Sequence, residues 1–421
     1  MGPMHGDRQP PWFRTVTPTQ RRAFLAAYLG WLLTGFDFAI LTFLLVDIQR
    51  HFGVTSALVG LLGTAPLLFR VVGGVGAGTA ADRWGRKGPL MASILAYSCF
   101  AFLGGFSTSY VMLLACRALF GIGMGGVWAA GMPLALEHWP ARLRGVASGL
   151  VQGGYAMGSI LAATVYQFVY PLLNQRDDGW RVLLWLGITP VALVIWIYFY
   201  VEESPVWLEE RRRRGPHPPK GGASLMRLFT SELRWVTLHT TLLMASLLFL
   251  YQAITFWYPT VLVQMGRQTL PFLVAFNAGG VTGAFIGGRL SETALGRRGA
   301  MSLVTVIGVL SIPLFLYSTN TALMLVGAAA MGTFGTGAFG AVPSYLNERF
   351  PTAVRAGGVG LVYQAGAALA SLAPSLIGSL RDDGMALPVA MALSIAASGT
   401  ATIVLVWMGP ETRGWRLEAR G

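Results

Sequence analysis

Charge is the scarcest feature of this 421-residue chain. Asp, Glu, Lys and Arg together make up 12% of it, roughly half the share of an ordinary soluble domain. With 54% hydrophobic residues there is too little polar surface to wrap one soluble core, so part of the solvent must be lipid. The mean hydropathy of +0.57 excludes a disordered chain. Cysteine is nearly absent: Cys99 and Cys116 both lie in apolar runs and read as small buried hydrophobes, with no disulfide or metal framework. There is no phosphate-binding loop, no zinc spacing and no nucleophile elbow between a strand and a helix, so nothing supports an enzyme.

What the sequence does have is long apolar runs rich in glycine. Stretches such as Gly73-Gly74-Val75-Gly76-Ala77-Gly78 have the small-residue spacing that lets membrane helices approach closely. A spanning helix needs about 20 mostly apolar residues. That rule predicts twelve spans, near 23–48, 54–81, 88–107, 110–136, 145–171, 182–201, 236–262, 270–290, 300–318, 321–346, 357–379 and 387–408. The first run follows Gln20-Arg21-Arg22 and contains Asp37; it is too long for a signal-peptide core and reads as an uncleaved helix. With the amino terminus placed in the cytoplasm, cytoplasmic segments hold 24 Lys and Arg, the opposite loops 5, and Arg70 and Arg117 stay inside spans. Basic residues resist translocation, so both termini are expected inside, and the net charge of +13 reports topology and some attraction to anionic lipid rather than nucleic acid. The expected organisation is a tail (1–22), a six-helix bundle (23–202), a flexible basic linker (203–234), a second bundle (235–409) and a tail (410–421). The linker contains Arg211-Arg212-Arg213-Arg214-Gly215-Pro216-His217-Pro218-Pro219, a solvated charge run or a regulatory contact.

The halves repeat. A shift of 211 residues carries Gly85, Arg86, Gly121, Glu137, Pro140, Arg144 and Gly149 onto Gly296, Arg297, Gly332, Glu348, Pro351, Arg355 and Gly360. Two such bundles related by an axis along the membrane normal enclose a cavity that opens to either side by rocking. The expected fold is therefore an all-α membrane protein of twelve transmembrane helices in two six-helix bundles, working by alternating access.

Gly78-Thr-Ala-Ala-Asp82-Arg83-Trp-Gly85-Arg86-Lys87 resembles the signature loop of the major facilitator superfamily, as do Glu203-Ser204-Pro205 and Pro410-Glu411-Thr412 after the sixth and twelfth spans. Further segments are similar to the sialate–proton symporter family and its lactate-permease relatives. They are Gly30-Trp31…Gly35-Phe36-Asp37-Phe38, Leu68-Phe69-Arg70-Val71-Val72-Gly73, Arg117-Ala-Leu-Phe-Gly-Ile-Gly-Met-Gly-Gly126, Ala135-Leu136-Glu137…Pro140 and Gln152-Gly-Gly-Tyr155. The resemblance implies a monomeric transporter in the plasma (inner) membrane whose coupling ion is the proton and which needs no cofactor or metal.

Charge inside a span is costly and usually faces a cavity or a partner. Asp37, Arg70 and Arg117 all lie in the first half; their counterparts are Leu248, Val281 and Ala328. This asymmetry suggests that the first half handles a proton while the second shapes the substrate pocket. In related symporters an Asp in this setting pairs with the Arg of the fourth span, so the resemblance implies Asp37 as proton acceptor and Arg117 as its partner. A guanidinium that moves relative to a carboxylate changes its hold on a proton; the plainer alternative is a static pair joining the two spans. Arg70 has no obvious acidic partner and suits a substrate carboxylate, or else it packs on backbone carbonyls or pairs with Asp37. Gln152, Tyr155, Asn277, Tyr363 and Gln364, with Gln252 and Trp128 as weaker members, are the polar and aromatic groups expected to complete the pocket. For each alone, an interhelical contact is as good a reading. Asp82, Arg86, Glu137 and Arg144 in one half answer Glu292, Arg298, Glu348 and Arg355 in the other; in the family such charges form the cytoplasmic gate. His138 reads as a solvated loop residue.

The preferred expectation is a proton-coupled symporter importing a small organic acid, a monocarboxylate such as lactate or pyruvate. Aromatic or sialic acids are the nearest alternatives. A drug antiporter is disfavoured because Gly149-Leu-Val-Gln152-Gly-Gly-Tyr155-Ala-Met-Gly158 lacks the Gly-Pro kink of such proteins. Two departures from the lactate-permease pattern bear on the substrate. Val127 stands where many relatives have Glu, and Tyr258-Pro259-Thr260 lacks the preceding His, Gln and Asp. Asp177-Asp178-Gly179 and Asp382-Asp383-Gly384 read as outer turns.

Overall fold

A backbone crossing lipid must satisfy its own hydrogen bonds, and helices do so within one segment. The computed structural model, which describes residues 16–54, 56–173, 178–214, 226–415 and 417, contains only helices and their connections among those residues. The first half comprises α1 (Pro18–Phe52), α2 (Ser56–Trp84), α3 (Lys87–Gly104), α4 (Tyr110–His138), α5 (Arg144–Phe168) and α6. The last is built from Gly179–Trp185, a 3-10 turn Leu186–Ile188 and Pro190–Tyr200. In the second half α7 is Arg234–Thr255 followed by Tyr258–Gln264, and α8 is Thr269–Leu290. Helix α9 is Gly296–Leu310 with a π turn at Pro313–Tyr317. Helix α10 runs Thr321–Ala330, a π turn Met331–Gly335, a 3-10 turn Gly337–Gly340 and Val342–Arg349. Helix α11 is Arg355–Ala370 then Ala373–Asp382, and α12 is Leu387–Met408.

Local chemistry sets several of these starts. Thr17 and Gln20 form a reciprocal capping box ahead of Pro18, and the Ser109 hydroxyl accepts from the Met112 N–H at the head of α4. Among the described residues, eleven helices are long and apolar enough to cross a membrane. The remaining expected span, 357–379, is present as α11 but broken at Ser371-Leu372, one turn before Pro374 takes the first turn of the restart.

The halves meet along α2–α11 and α5–α8. Glycine permits this packing: a methyl group on Gly149 would strike the Ala284 carbonyl, and one on Gly125, between α4 and α2, the Arg70 carbonyl. Both described ends of the chain lie on one face, here the terminal face. There Trp139 Nε1 donates to the Gln20 carbonyl at 3.1 Å and Arg144 to the Trp415 carbonyl at 2.9 Å. The linker departs from expectation. Pro205–Arg214 is helical, and Trp207 Nε1 anchors it to the Asp82 carbonyl at 2.9 Å while it reaches Thr352–Val354 of the other half. The expected tail up to residue 15, the Gly215-Pro216-His217-Pro218-Pro219 stretch and Asp177 lie outside the described residues.

A candidate transport site and its gate

The terminal-face loops repeat one construction. Gly85 (φ 102°) and Gly296 (φ 68°) turn the chain through the left-handed region between α2 and α3 and between α8 and α9. Behind the turns, Glu203 accepts from the Arg86 and Lys87 N–H groups (2.8 and 3.1 Å), and Glu411 from those of Arg297 and Arg298 (2.9 and 3.0 Å). A carboxylate on free amides at a helix start is a favourable placement. Burial alone would raise the Glu411 carboxyl, but the N–H groups of Arg298, Arg297, Arg413 and Thr412 outweigh it and hold the group below the usual carboxylate range.

Each loop arginine then turns inward. Arg86 forks onto Glu137 at 3.2 Å and meets Asp82 at 3.1 Å; Arg297 forks onto Glu348 at 3.2 and 3.0 Å and meets Glu292 at 2.9 Å. The same two glutamates reach across the seam: Glu137 takes Arg355 at 2.6 Å and Glu348 takes Arg144 at 3.0 Å. Asp82 also accepts from the N–H groups of Ala356 and Gly357 at the head of α11 (3.0 and 2.7 Å), and Glu292 from that of Gly145 at the head of α5. Hydroxyls complete the glutamates: Ser204 donates to Glu137, and Thr412 to Glu348 at 2.7 Å. The hydrogen bonds named here that join the halves run from this face inward to Arg70–Gln364, so the terminal mouth is closed.

One expected gate residue is displaced. Arg298 lies outside the cluster, its guanidinium over Trp407 at 4.2 Å, and Arg297 occupies the position. The reason is the repeat itself: Arg298 corresponds to Lys87, which likewise bonds the Tyr198 carbonyl over that ring. His138 is buried rather than solvated, a ring nitrogen 2.8 Å from the Leu134 carbonyl.

Toward mid-membrane, Arg70 of α2 donates through Nε to Gln364 of α11 at 2.7 Å, with its guanidinium 5.1 Å from the Tyr363 ring centre. Tyr363 lies tilted against Trp128 of α4, ring centres 4.2 Å apart, and Trp128 Nε1 donates to Gln152 of α5 at 3.3 Å. Tyr155, against Trp31 at 5.1 Å, is within electrostatic range of Arg70, Tyr251 and Tyr363. No carboxylate enters this cluster. Among the described residues the two terminal nitrogens of Arg70 and the hydroxyls of Tyr155, Tyr251 and Tyr363 make no hydrogen bond, and none is sealed from solvent. The structure thus brings together Arg70, Gln152, Tyr155, Tyr363 and Gln364. Asn277 instead bonds the Leu273 carbonyl of its own helix at 2.8 Å, and no hydrogen bond ties Gln252 to the cluster. Tyr251, one residue from Gln252 and about 100° around the helix, is the α7 group that faces it. Tyr251 has no place among the residues expected from sequence; an aromatic one position from a polar residue on a seam helix is the signal that could have found it.

Asp37 of α1 and Arg117 of α4 are 2% and 1% exposed. They interact electrostatically, but no ion pair forms: Asp37 Oδ2 and all three guanidinium nitrogens lack a hydrogen-bond partner, and Arg117 lies over Phe120 at 5.1 Å. The direct pairing implied by sequence is therefore absent in this conformation, although both groups occupy one buried region.

Two repeated helical bundles, one mouth closed by a doubled charge cluster above a central guanidinium, define a membrane transporter of the rocking two-bundle class. The chain belongs to the Major Facilitator Superfamily, whose model matches residues 27–374, and it is a multi-pass membrane transporter rather than an enzyme. It is 33% identical over 97% of its length, and 95% of the relative's, to a probable 4-methylmuconolactone transporter of Cupriavidus pinatubonensis. It is 31% identical to the sialic acid transporter NanX of Escherichia coli, covering 87% of this chain and 88% of that protein. Its fold matches the proton:xylose symporter XylE with a TM-score of 0.78 at 19% identity, over 95% of this chain and 98% of that one.

Proposed function

We propose that the protein imports a small organic acid together with a proton across the plasma (inner) membrane, as a monomer with both termini in the cytoplasm. One observation carries the substrate reading: Arg70 is held by Nε alone, in a cluster without carboxylates, with its two-nitrogen fork free. A fork of that shape matches a carboxylate in bidentate fashion. The excess of Lys and Arg on the terminal-face loops supports the orientation. Asp37 is the proton acceptor and Arg117 the charge that answers it; one proton entering with a monoanion makes transport electroneutral, driven by the pH gradient, with no cofactor or metal. Inward opening breaks the Arg144–Glu348 and Arg355–Glu137 pairs.

A monocarboxylate of the size of lactate or pyruvate satisfies the Arg70 fork. The tyrosine rings 155, 251 and 363 favour a second reading, a flat ring-bearing acid that stacks where lactate leaves them bare; the similarity to a probable methylmuconolactone transporter supports it. The test is uptake of labelled lactate, pyruvate and benzoate into proteoliposomes under an imposed inward proton gradient. Accumulation of any of them, lost when the gradient is collapsed, supports acid symport. Folded protein that accumulates none, or that expels them, contradicts it.

A further inference from the structure

Buried polar atoms without partners gather in one region of the first half, apart from both the gate and the Arg70 cluster. They are Ser107 Oγ at the outer end of α3, the three Arg117 nitrogens, Asp37 Oδ2, and Tyr97 OH and Ser98 Oγ farther in. They form a file. The Ser107 carbonyl accepts from Arg181 at 2.7 Å, and the Arg181 side chain, 18% exposed, reaches the outer solvent. Cys116 sits beside both Ser107 and Arg117, Arg117 faces Asp37, and Asp37 faces Tyr97, which neighbours Ser98 and Thr34. The 3-10 turn of α6 sets Gly187 against Asp37; a methyl group there would lie 3.5 Å from Oδ1 and press into Ala101, so no larger side chain can crowd the carboxylate from α6.

A buried donor or acceptor left unmade costs about 1–3 kcal/mol, and a charged one more. Internal waters relieve such groups, each making about three hydrogen bonds. We propose that these atoms are bridged by internal waters into a proton path that runs inside the first half from the outer face at Ser107 to Asp37, separate from the substrate route past Arg70. The proposal rests on the reading of Asp37 as the proton acceptor. Each hydroxyl or water on the path takes a proton on its oxygen and passes on the one it held, and the last lands on the Asp37 carboxylate. Arg117 keeps its charge throughout and orients the waters. While Asp37 is ionised the two charges cancel; once it is protonated, the unbalanced guanidinium opposes a second proton, which fixes one proton per cycle. The groups around Asp37 that can titrate or carry charge are Arg117 and Cys116 on α4 and Tyr97 on α3; α6 offers Gly187, and α5 offers Gly158 beside Phe36.

The experiment needs no substrate. Infrared difference spectra of the full-length protein in lipid nanodiscs identify the carboxylic-acid band that Asp37→Asn removes, and its shift after rapid mixing with D2O gives the exchange rate. Ser107→Val is expected to slow the shift by about tenfold, Ser107→Thr to restore it, and Arg70→Ala to leave it unchanged. Exchange as fast in Ser107→Val as in the wild type, or slowed by Arg70→Ala instead, overturns the path. Absence of any Asp37-dependent band between about pH 4 and about pH 9 would overturn the reading of Asp37 itself, a failure distinct from that of the path.

Discussion

The two halves share a gate and differ in almost everything that surrounds their centres. In the first, α1 to α4 run unbroken, even though α2 and α4 contain Pro66 and Pro133, and α6 breaks at a 3-10 turn and restarts at Pro190. In the second, α7, α9, α10 and α11 are each interrupted, and Pro259, Pro313, Pro343 and Pro374 stand at the restarts. The straighter half holds Asp37, Arg70 and Arg117 and gives Trp128, Gln152 and Tyr155 to the central cluster; the more interrupted half supplies Tyr251, Tyr363 and Gln364. A charge buried in lipid needs a fixed setting, whereas a pocket that must close on a ligand gains from helices able to bend at π turns and prolines. The difference teaches that the buried charges sit on straight helices, while the helices that close the cluster from the other side are interrupted.

The gate offers the strongest way to break the comparison, because there the halves are expected to behave alike. Glu137→Ala and Glu348→Ala each strand two buried arginines, and each is expected to cost about 3–5 kcal/mol of the closed state. Cysteine pairs placed across the terminal face should cross-link less in both variants and to the same degree. A large loss in one with none in the other would show that the repeat is not energetic. The next contrast is in α4 and α10, where Gly125 corresponds to Thr336 by the 211-residue shift. Gly125→Thr drives a side chain into the Arg70 carbonyl and should destabilise by about 1–3 kcal/mol in thermal unfolding. Thr336→Gly, at the break between the π and 3-10 turns of α10, should cost about 1 kcal/mol or less. Equal costs would remove the distinction between a straight and a broken helix.

Smaller effects sharpen it further. Arg70→Lys keeps the charge but loses the fork, so the Michaelis constant for the transported acid should rise about tenfold at unchanged maximal rate; an unchanged constant would return Arg70 to a packing role. Glu411 gives the smallest. Its carboxyl is held below the usual range in the folded protein, so its contribution to stability is complete above the unfolded value and fades as pH falls through the folded one. Thermal stability should therefore drop on acidification through the carboxylate range, and drop less steeply in Glu411→Gln. Parallel slopes would contradict the role of those four amides.

Much of this architecture was legible in sequence because lipid enforces it: apolar run length gives the spans, and the 211-residue shift gives the paired corners. The misreadings have particular causes. The shift itself carries Arg86 to Arg297, yet the neighbouring Arg298 was assigned to the gate, because two adjacent arginines look alike until a left-handed glycine fixes which one turns inward. Gln252 stands out in sequence by its polarity and Tyr251 does not, although a helix turns about 100° per residue and the two cannot both face the seam. The Pro205–Arg214 helix was hidden by its arginines, which resemble a solvated run until Trp207 is seen anchored to Asp82. The distance between Asp37 and Arg117 had no sequence signal, since run length and the repeat fix the spans but not how two side chains are packed between them.

The proposed assignment of the proton to Asp37 in the first half is tested most directly by flux in proteoliposomes carrying wild type, Asp37→Asn or Tyr363→Leu, with labelled lactate and benzoate as probes. The account predicts that Asp37→Asn exchanges acid across the membrane but no longer concentrates it under a proton gradient. Tyr363→Leu should still concentrate it, with a raised Michaelis constant. Accumulation that survives in Asp37→Asn, or that is lost in Tyr363→Leu while exchange persists, would contradict the assignment of the proton to the first half.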